Sequence, residues 1–448
     1  MHKLTGEQSQ ILYLKDNSNL ALFGTAGSGK SLIALYKAIY LSIKEPTAQI
    51  SIICFNKPVI KKLKSDYEKI CAELGVKTAN NIHISTYHRF IAQKLKEIKC
   101  AKADQYVKEG NKTKYIRKAI EKLKTKFPGN KLLDRDIQFF EEEISWLQGM
   151  NLRNVEAYQS AERIGRGRKN PVTKGEDREI VYRVFNGYRY YREENNEYSD
   201  YDDISWLVLD NENMIREEHR IDYLIIDEFQ DMDKAKIQSL TSFVKNEGTT
   251  ILLGDYAQQI LGTRVSFKQL GIPNISKRTF VKNYRNTQQI SNLANSLIER
   301  GFIKEDDDEK IRRVSGSRAG GLPILEKVEQ SDYAKFIERF FFEKTGRNGL
   351  IIMEPRKYKE IKKIIKNKNI ELYTINQVKG LEFDNLLILD VDGSLYLEDK
   401  ENLDSNENSE IAKQLYVAIT RATTNLCLGF TDCNMLYYLD EKFVEVVK

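Results

Sequence analysis

This sequence has no paired cysteines, no apolar leader, no membrane-length hydrophobic run and no strong charge imbalance. Its 5 cysteines, Cys54, Cys71, Cys100, Cys427 and Cys433, are scattered and odd in number. None sits in a Cys-x-x-Cys pair, which argues against a zinc site or a disulfide framework. The N-terminus Met1-His2-Lys3-Leu4-Thr5-Gly6-Glu7 lacks the apolar stretch of a secretory signal. No segment approaches the ~18 apolar residues of a membrane span. The expectation is a cytoplasmic, reduced protein with no membrane partner. Lys and Arg number 71 against 65 Asp and Glu, a formal net charge of +6. So mild an excess permits a polyanionic partner without demanding one, and a solvated surface explains it equally well. No internal repeat is visible.

What is present is a chain of 448 residues, room for a few domains at roughly 100–200 residues each. Short apolar runs, Leu20-Ala21-Leu22-Phe23, Ile50 to Phe55, Tyr223 to Ile226 and Thr250 to Leu253, alternate with longer helical patterns. Runs of this kind indicate buried strands of a parallel sheet, which requires helical crossovers. From about Lys94 to Ser205 the strand runs vanish, and lysine, glutamate and aromatics recur at helical spacing, as in Phe139 to Leu147. Beyond Arg264 the alternation resumes, with strand candidates at Gly349 to Met353, Leu386 to Leu389 and Asn425 to Leu428. The fold expected is α/β: two doubly wound domains, with a mainly helical domain inserted in the first. The boundaries expected are 1–95 with 205–262 for the first, 96–204 for the insertion and 263–448 for the second. Two acidic stretches, Glu305 to Glu309 and Glu398 to Ser409, read as solvated loops.

The first strand candidate runs into Gly24-Thr25-Ala26-Gly27-Ser28-Gly29-Lys30-Ser31, and a helix pattern follows. This is a phosphate-binding loop in its required strand–loop–helix context. The glycines let backbone N–H groups curl around phosphates, and the helix N-terminus adds a positive dipole end. Lys30 would reach the β and γ phosphates of ATP, and Ser31 would ligate Mg²⁺. The strand Leu224-Ile225-Ile226 ends in Asp227-Glu228-Phe229-Gln230-Asp231. A carboxylate there sits at the ligand edge of a parallel sheet. Asp227 would hold Mg²⁺, and Glu228 would orient the attacking water and take its proton. Read alone, the same acidic cluster could cap the next helix.

With these residues in place, the chain resembles the superfamily 1 helicases of the UvrD/Rep/PcrA type, whose motifs occur here in order. Leu4-Thr5-Gly6-Glu7-Gln8 resembles the adenine-reading motif, with Gln8 on the base. Cys54-Phe55-Asn56-Lys57 and Thr86-Tyr87-His88-Arg89 resemble the first two strand-binding motifs. Gly254-Asp255-Tyr256-Ala257-Gln258 resembles the coupling motif, in which Gln258 would sense the γ-phosphate. Asn283-Tyr284-Arg285 resembles the motif whose tyrosine stacks on adenine and whose arginine contacts phosphate. The stretch Thr374 to Phe383 resembles the motif that touches both strand and ribose, through Thr374, Asn376, Gly380 and Glu382. Tyr416 to Ala422 resembles the last motif, whose Arg421 would reach the γ-phosphate from the second lobe. The resemblance implies two RecA-like domains that hydrolyse ATP with Mg²⁺ between them and move 3′→5′ on single-stranded DNA.

Three departures stand out. The stretch from Arg285 to Thr374 leaves no room for the large domain that the family inserts there, so this is a compact member. Leu261 and Thr263 stand where the family places base-stacking aromatics, while Arg264 is kept. Asn376 stands where the family has histidine. Phe55 and Tyr87 then remain as aromatic candidates for a strand, and Phe55 reads equally well as core. Arg163 to Lys169, with Arg166 and Arg168, is a basic loop that could grip phosphates or be a solvated surface. Asp202-Asp203 resembles a further family motif or a helix N-terminal feature. The alternatives are an ATP-switched nucleic-acid clamp with little unwinding, and an RNA-directed motor. Either leaves room for a protein partner that supplies the missing duplex-engaging surface.

Overall fold

The computed structural model describes all residues except 1–3, 5, 14–17, 25–26, 56, 164–171, 256–269, 281–282, 303–315, 366, 379, 392–405, 432–438 and 448. Two six-stranded sheets dominate it. The first contains β1 (Leu20–Phe23), β2 (Ile50–Cys54), β3 (Ile82–Thr86), β4 (Ile221–Asp227), β5 (Val244–Gly254) and β6 (Ser276–Thr279), in the order β3-β2-β4-β5-β1-β6. A small two-stranded pair, β7 (Asn283–Thr287) and β8 (Gly316–Arg318), follows. The second large sheet contains β9 (Ile324–Lys327), β10 (Asn348–Ile352), β11 (Ile370–Thr374), β12 (Phe383–Leu389), β13 (Ala422–Phe430) and β14 (Glu445–Val447), in the order β11-β10-β12-β13-β9-β14. Every pairing in both sheets is parallel. Counted from its own first strand, each sheet has the same winding, third-second-fourth-fifth-first-sixth. Both are RecA-like in form.

The apolar runs seen in the sequence are buried on both faces, as parallel strands require. Ile50, Ile52, Leu224, Ile225 and Ile226 are fully buried, as are Leu386 to Leu389 in β12. One face of the first sheet is covered by the helices Lys30–Lys44 and Lys57–Leu74. In the former, Ile33, Ala34, Ala38 and Leu41 recur at helical spacing toward the core. The other face is covered by helices lying between β3 and β4, among them Asn111–Lys126, Ile137–Gly149 and Glu176–Glu193. The helical pattern read between 96 and 204 is therefore present. Its core residues Phe140 and Phe185 belong to one cluster with Phe23, Ile226 and Leu252 of the sheet. The second sheet is sandwiched likewise, by Gln288–Glu299 and Asn406–Ile419 on one face and Tyr333–Phe341 and Tyr358–Ile364 on the other.

The expected first domain closes at 262, and its sheet has one further strand beyond that point: β6 pairs with β1 through Leu20 opposite Ser276 and Phe23 opposite Thr279. All four residues of β6 are exposed, so it carries no apolar signal and is held at the edge by backbone hydrogen bonds. Among the described residues, no helix is long and apolar enough to cross a membrane. The four described cysteines are buried, and no disulfide joins any two of them.

Candidate nucleotide site and strand-binding surface

The loop after β1 and the ends of β4 and β5 meet at one edge of the first sheet, where Gly24 donates its N–H to the Gly254 carbonyl at 3.3 Å. Lys30 opens the following helix, and its Nζ folds back onto the Gly24 carbonyl at 2.6 Å. Two glycines carry the loop through left-handed backbone, Gly27 at φ 79° and Gly29 at φ 84°. Side chains there would also collide. A Cβ on Gly27 would strike Arg285 Cβ and Asn283 Oδ1, and one on Gly29 would strike the Gln8 amide. The Gln8 Nε2 donates to the Ser28 carbonyl at 2.8 Å. Thr25 and Ala26 lie outside the described residues.

Ser31 Oγ donates to Asp227 Oδ2 at 2.6 Å. Asp227 is fully buried. Burial, and next to it the Glu228 charge, push its carboxyl up to about 6, with Ser31 and Lys30 opposing. Glu228 adopts φ 53°, a conformation that non-glycine residues adopt at a cost of roughly 1–3 kcal/mol, usually at functional sites. Its Oε2 accepts from Gln230 Nε2 at 2.5 Å, and Gln230 Oε1 accepts from the Asp255 N–H at 3.1 Å. Gln230 thus ties Glu228 to the start of the Gly254-Asp255 motif, a role that the sequence did not suggest for it. Gln258 lies outside the described residues.

Arg285 and Glu382 come from the far side of the site. Arg285 pairs with Glu382 Oε1 at 2.5 Å, and Lys62 of the helix Lys57–Leu74 reaches the same oxygen at 2.9 Å. Burial would raise the Glu382 carboxyl, but Arg285 and Lys62 hold it down to about 2. These groups line one cleft of about 690 Å³ with Gln8, Lys30, Ser31, Glu228, Tyr284 and Gly380. Tyr284 is anchored by its N–H on the Gly27 carbonyl at 2.9 Å.

Arg421 is placed differently from an exposed finger. It is 1% exposed, and its guanidinium donates to the Val417 carbonyl at 3.1 Å and to Thr420 Oγ1 at 3.3 Å. Burial and the nearby Arg285 charge lower it to about 10, while Glu228, Glu382 and Asp255 pull the other way. Two residues missed in the sequence join its segment to that of Arg285. The buried Asn286 donates Nδ2 to the carbonyls of Thr420 at 3.1 Å and Ala422 at 2.5 Å, on either side of Arg421. Arg318 donates to the Arg285 carbonyl at 3.2 Å, to Thr424 Oγ1 at 3.2 Å and to the Thr423 carbonyl. Both contacts go mainly to backbone carbonyls, which leave no trace in residue type.

The donor set suits a magnesium nucleotide. The glycine loop has no room for Cβ atoms, and Ser28 Oγ is buried without a hydrogen-bond partner among the described residues. Asp227 and Glu228 are two adjacent carboxylates beside one hydroxyl, with Asp227 protonating more easily than usual, which a divalent cation would relieve. Among the described residues no three His, Cys, Asp or Glu converge as a metal cluster. The Ser31 hydroxyl beside the Asp227 and Glu228 carboxylates fits Mg²⁺, which typically takes one or two carboxylates and completes its shell with water and phosphate oxygens.

A second surface lies beyond the ends of β2 and β3. Thr86 caps the helix Tyr87–Glu97, accepting from the Arg89 N–H at 3.4 Å. Phe55 is half-buried and lies 6.1 Å from the His88 ring, centroid to centroid. Tyr87 is no stacking candidate: it is fully buried, with its hydroxyl 3.0 Å from Ser239 Oγ. Tyr201, not singled out in the sequence, is an exposed ring at this surface. It is 70% exposed, its ring lies 5.1 Å from that of His88, and its carbonyl accepts from His88 Nε2 at 3.0 Å. Burial lowers the His88 pKa, with the Tyr201 carbonyl opposing.

The residues on either side of Tyr201 belong to a largely buried polar cluster. Asp200 accepts from Tyr188 at 2.6 Å and Gln148 at 3.1 Å, Asp202 from Lys112 at 2.6 Å and Ser145 at 2.7 Å, and Asp203 from Arg192 at 2.6 Å. Asp202-Asp203 therefore belongs to the cluster that flanks Tyr201. Thr374 closes β11 with its N–H on Gln377 Oε1 at 3.1 Å, and Asn376 is exposed just beyond. Arg163, first residue of the basic loop, pairs with the buried Glu143 at 2.6 Å. Asn56, Arg166, Arg168, Leu261, Thr263 and Arg264 lie outside the described residues.

A glycine loop at the edge of one parallel sheet, facing Arg285 of the small β7–β8 pair and Glu382 just ahead of β12 in a second sheet of the same winding, defines a two-lobed P-loop protein. Residues 4–279 match the UvrD/REP helicase N-terminal domain and residues 348–432 the UvrD-like helicase C-terminal domain. The chain belongs to the UvrD/REP helicase family. The ATP-dependent DNA helicase PcrA of Staphylococcus epidermidis is 23% identical over 354 residues, covering 75% of this chain and 45% of that protein. That of Staphylococcus aureus is 24% identical over 376 residues, covering 78% of this chain and 46% of that protein. The chain spans about half the length of the curated relatives it matches.

Proposed function

We propose that this chain is an ATP-hydrolysing motor that moves 3′→5′ along single-stranded DNA. The observation that carries this reading is the single cleft lined by Lys30, Ser31 and Glu228 from one lobe and by Arg285 and Glu382 from the other. Phosphoryl transfer needs charge neutralisation and positioning more than covalent chemistry. Lys30 and the loop N–H groups hold the phosphates, Gln8 and Tyr284 hold the base, and Glu382 the ribose. Glu228, steadied by Gln230, orients water and accepts its proton. Bound Mg²⁺, held by Ser31 and Asp227, would neutralise charge on the phosphates. Arg285 must exchange Glu382 for phosphate to act, and Arg421, behind it, adds positive potential. ATP thereby favours the closed cleft. The strand would cross Phe55, Asn56, Thr86, His88 and Tyr201 on the first lobe, Arg264, and Thr374 and Asn376 on the second, with Arg166 and Arg168 alongside. The working division is a first RecA-like domain of 1–95 and 205–262, extended to include β6, a helical insertion of 96–204, and a second RecA-like domain after β6.

The test is ATP turnover with single-stranded DNA, duplex DNA and RNA, beside Lys30→Ala and Glu228→Gln. Stimulation by single-stranded DNA, lost in both variants, is expected. Wild-type turnover in either variant would place the chemistry elsewhere. Leu261 and Thr263, in positions where the family has aromatic rings, favour a second reading as an ATP-switched clamp that unwinds poorly without a protein partner. Displacement of a strand from a 3′-tailed duplex decides between the two.

A further inference from the structure

The helix Asn111–Lys126 carries Lys114, Lys118, Lys122 and Lys126 at steps of four residues, all exposed. Such a row forms one ridge, advancing about 6 Å per step and about 18 Å in all. Arg117, also exposed, flanks it. None of these five cations forms an ion pair with a described carboxylate, whereas neighbouring Lys124 is paired with Asp134 at 2.7 Å. The helix has one acidic residue, Glu121. Two tyrosines from the helix Glu176–Glu193 stand against the ridge. Lys122 Nζ lies 5.5 Å from the Tyr190 ring and 6.0 Å from that of Tyr191, and Lys118 Nζ lies 5.5 Å from Tyr191. The two rings meet edge to face at 5.4 Å. Tyr190 is 52% exposed, and its hydroxyl is fixed on Glu194. Glu193, on the same helix as the tyrosines, is engaged by Arg189 at 3.8 Å.

Unpaired cations in a row beside an exposed, immobilised aromatic ring form the combination that grips single strands: charge tracks the phosphates and the ring takes a base. A merely solvating charge run needs neither the tyrosines nor the regular ridge. The helix also begins at the strand-binding surface, since Lys112, at its start, pairs with Asp202 next to Tyr201. We propose that the ridge of Lys114, Lys118, Lys122 and Lys126, with Tyr190, is a second contact for single-stranded nucleic acid, continuing the path that passes Tyr201. This rests on the reading of the protein as a single-strand motor.

The experiment uses the full chain and labelled oligothymidylates of about 6 and about 20 nucleotides, bracketing the ~4–16 nucleotides one module typically covers. Wild type should bind the longer strand more tightly. The double variant Lys118→Ala, Lys122→Ala should lose most of that difference and flatten the log–log salt dependence for the long strand by about 1.4, at about 0.7 per lost contact. Tyr190→Ala should weaken the long strand about five- to tenfold with the salt slope unchanged. Both should match wild type on the short strand and in thermal unfolding. Wild-type binding of the long strand by both variants would overturn the ridge proposal alone, as would equal losses on both lengths or equal competition by blunt duplex. A wild-type protein that bound neither strand would overturn the motor reading and this proposal with it.

Discussion

Ser31 and Asp227, 196 positions apart in the chain, are joined by a hydrogen bond of 2.6 Å. It brings the P-loop hydroxyl against a carboxylate that burial and Glu228 push up to about 6, from an ordinary value of 3.8. In the ligand-free protein a raised carboxylate pKa means that the folded state binds its proton more tightly than the unfolded chain. The stabilisation is full below 3.8 and is lost as pH rises through about 6. Asp227→Asn should therefore stabilise the ligand-free protein at pH 7 by roughly 1–3 kcal/mol while abolishing Mg²⁺-dependent nucleotide turnover. In wild type, Mg²⁺–nucleotide affinity should fall as pH drops below about 6. Urea unfolding and calorimetry across pH 5–8 check both, and loss of stability in the ligand-free variant would refute the assignment.

Arg285 is held by Glu382 in the cleft wall. On the proposed mechanism Arg285→Ala cuts turnover by about 10³-fold or more, in the range of arginine fingers, while nucleotide binding largely survives. Single-turnover hydrolysis with a nucleotide titration separates the two effects. Unaltered hydrolysis would mean that the second lobe contributes no charge to the chemistry.

Arg318 touches three acceptors on the segments of Arg285 and Arg421. It is a positioning residue, so its loss should act on rate rather than on binding. Arg318→Ala is expected to lower kcat roughly tenfold with KM little changed, and Arg318→Lys should not restore it, because an ammonium lacks the forked guanidinium geometry. A drop confined to KM would argue instead for direct nucleotide contact.

Tyr87 and Tyr201 make a discriminating pair. Tyr201→Ala should weaken single-strand binding by about 1–3 kcal/mol, or roughly 5- to 150-fold, and leave stability near wild type. Tyr87→Ala empties a buried site and should cost about 3–5 kcal/mol of stability. Fluorescence anisotropy beside thermal unfolding reads both. Equal strand binding by Tyr201→Ala would remove that ring from the path.

The phosphate loop and the Asp227–Glu228 pair were legible in the sequence because each is a contiguous run with one local chemistry. The strands β1, β2, β4, β10 and β12 were legible for a similar reason: burial on both faces leaves unbroken apolar runs. β6 was not, since Ser276-Lys277-Arg278-Thr279 is exposed throughout and owes its place to pairing with β1. Tyr87 and His88 stand side by side in the sequence, and only tertiary packing, which sets the Tyr87 hydroxyl on Ser239, determines which of them faces outward. Asn286 and Arg318 act on carbonyls of residues over 100 positions away. No residue pattern encodes such contacts.

The shared winding of the two large sheets implies that the molecule is one design used twice. The two sheets differ after their leading strand. After β1 comes the glycine loop, whereas after β9 comes Val328-Glu329-Gln330-Ser331-Asp332, with no glycine. On the proposed reading, the first lobe is the fuel inlet and the second its lid, and a full cycle of separation and closure consumes a single nucleotide. Distance travelled along a strand would then scale linearly with fuel spent, and the step length would be set by how far one hinge swings rather than by any coordination between two engines.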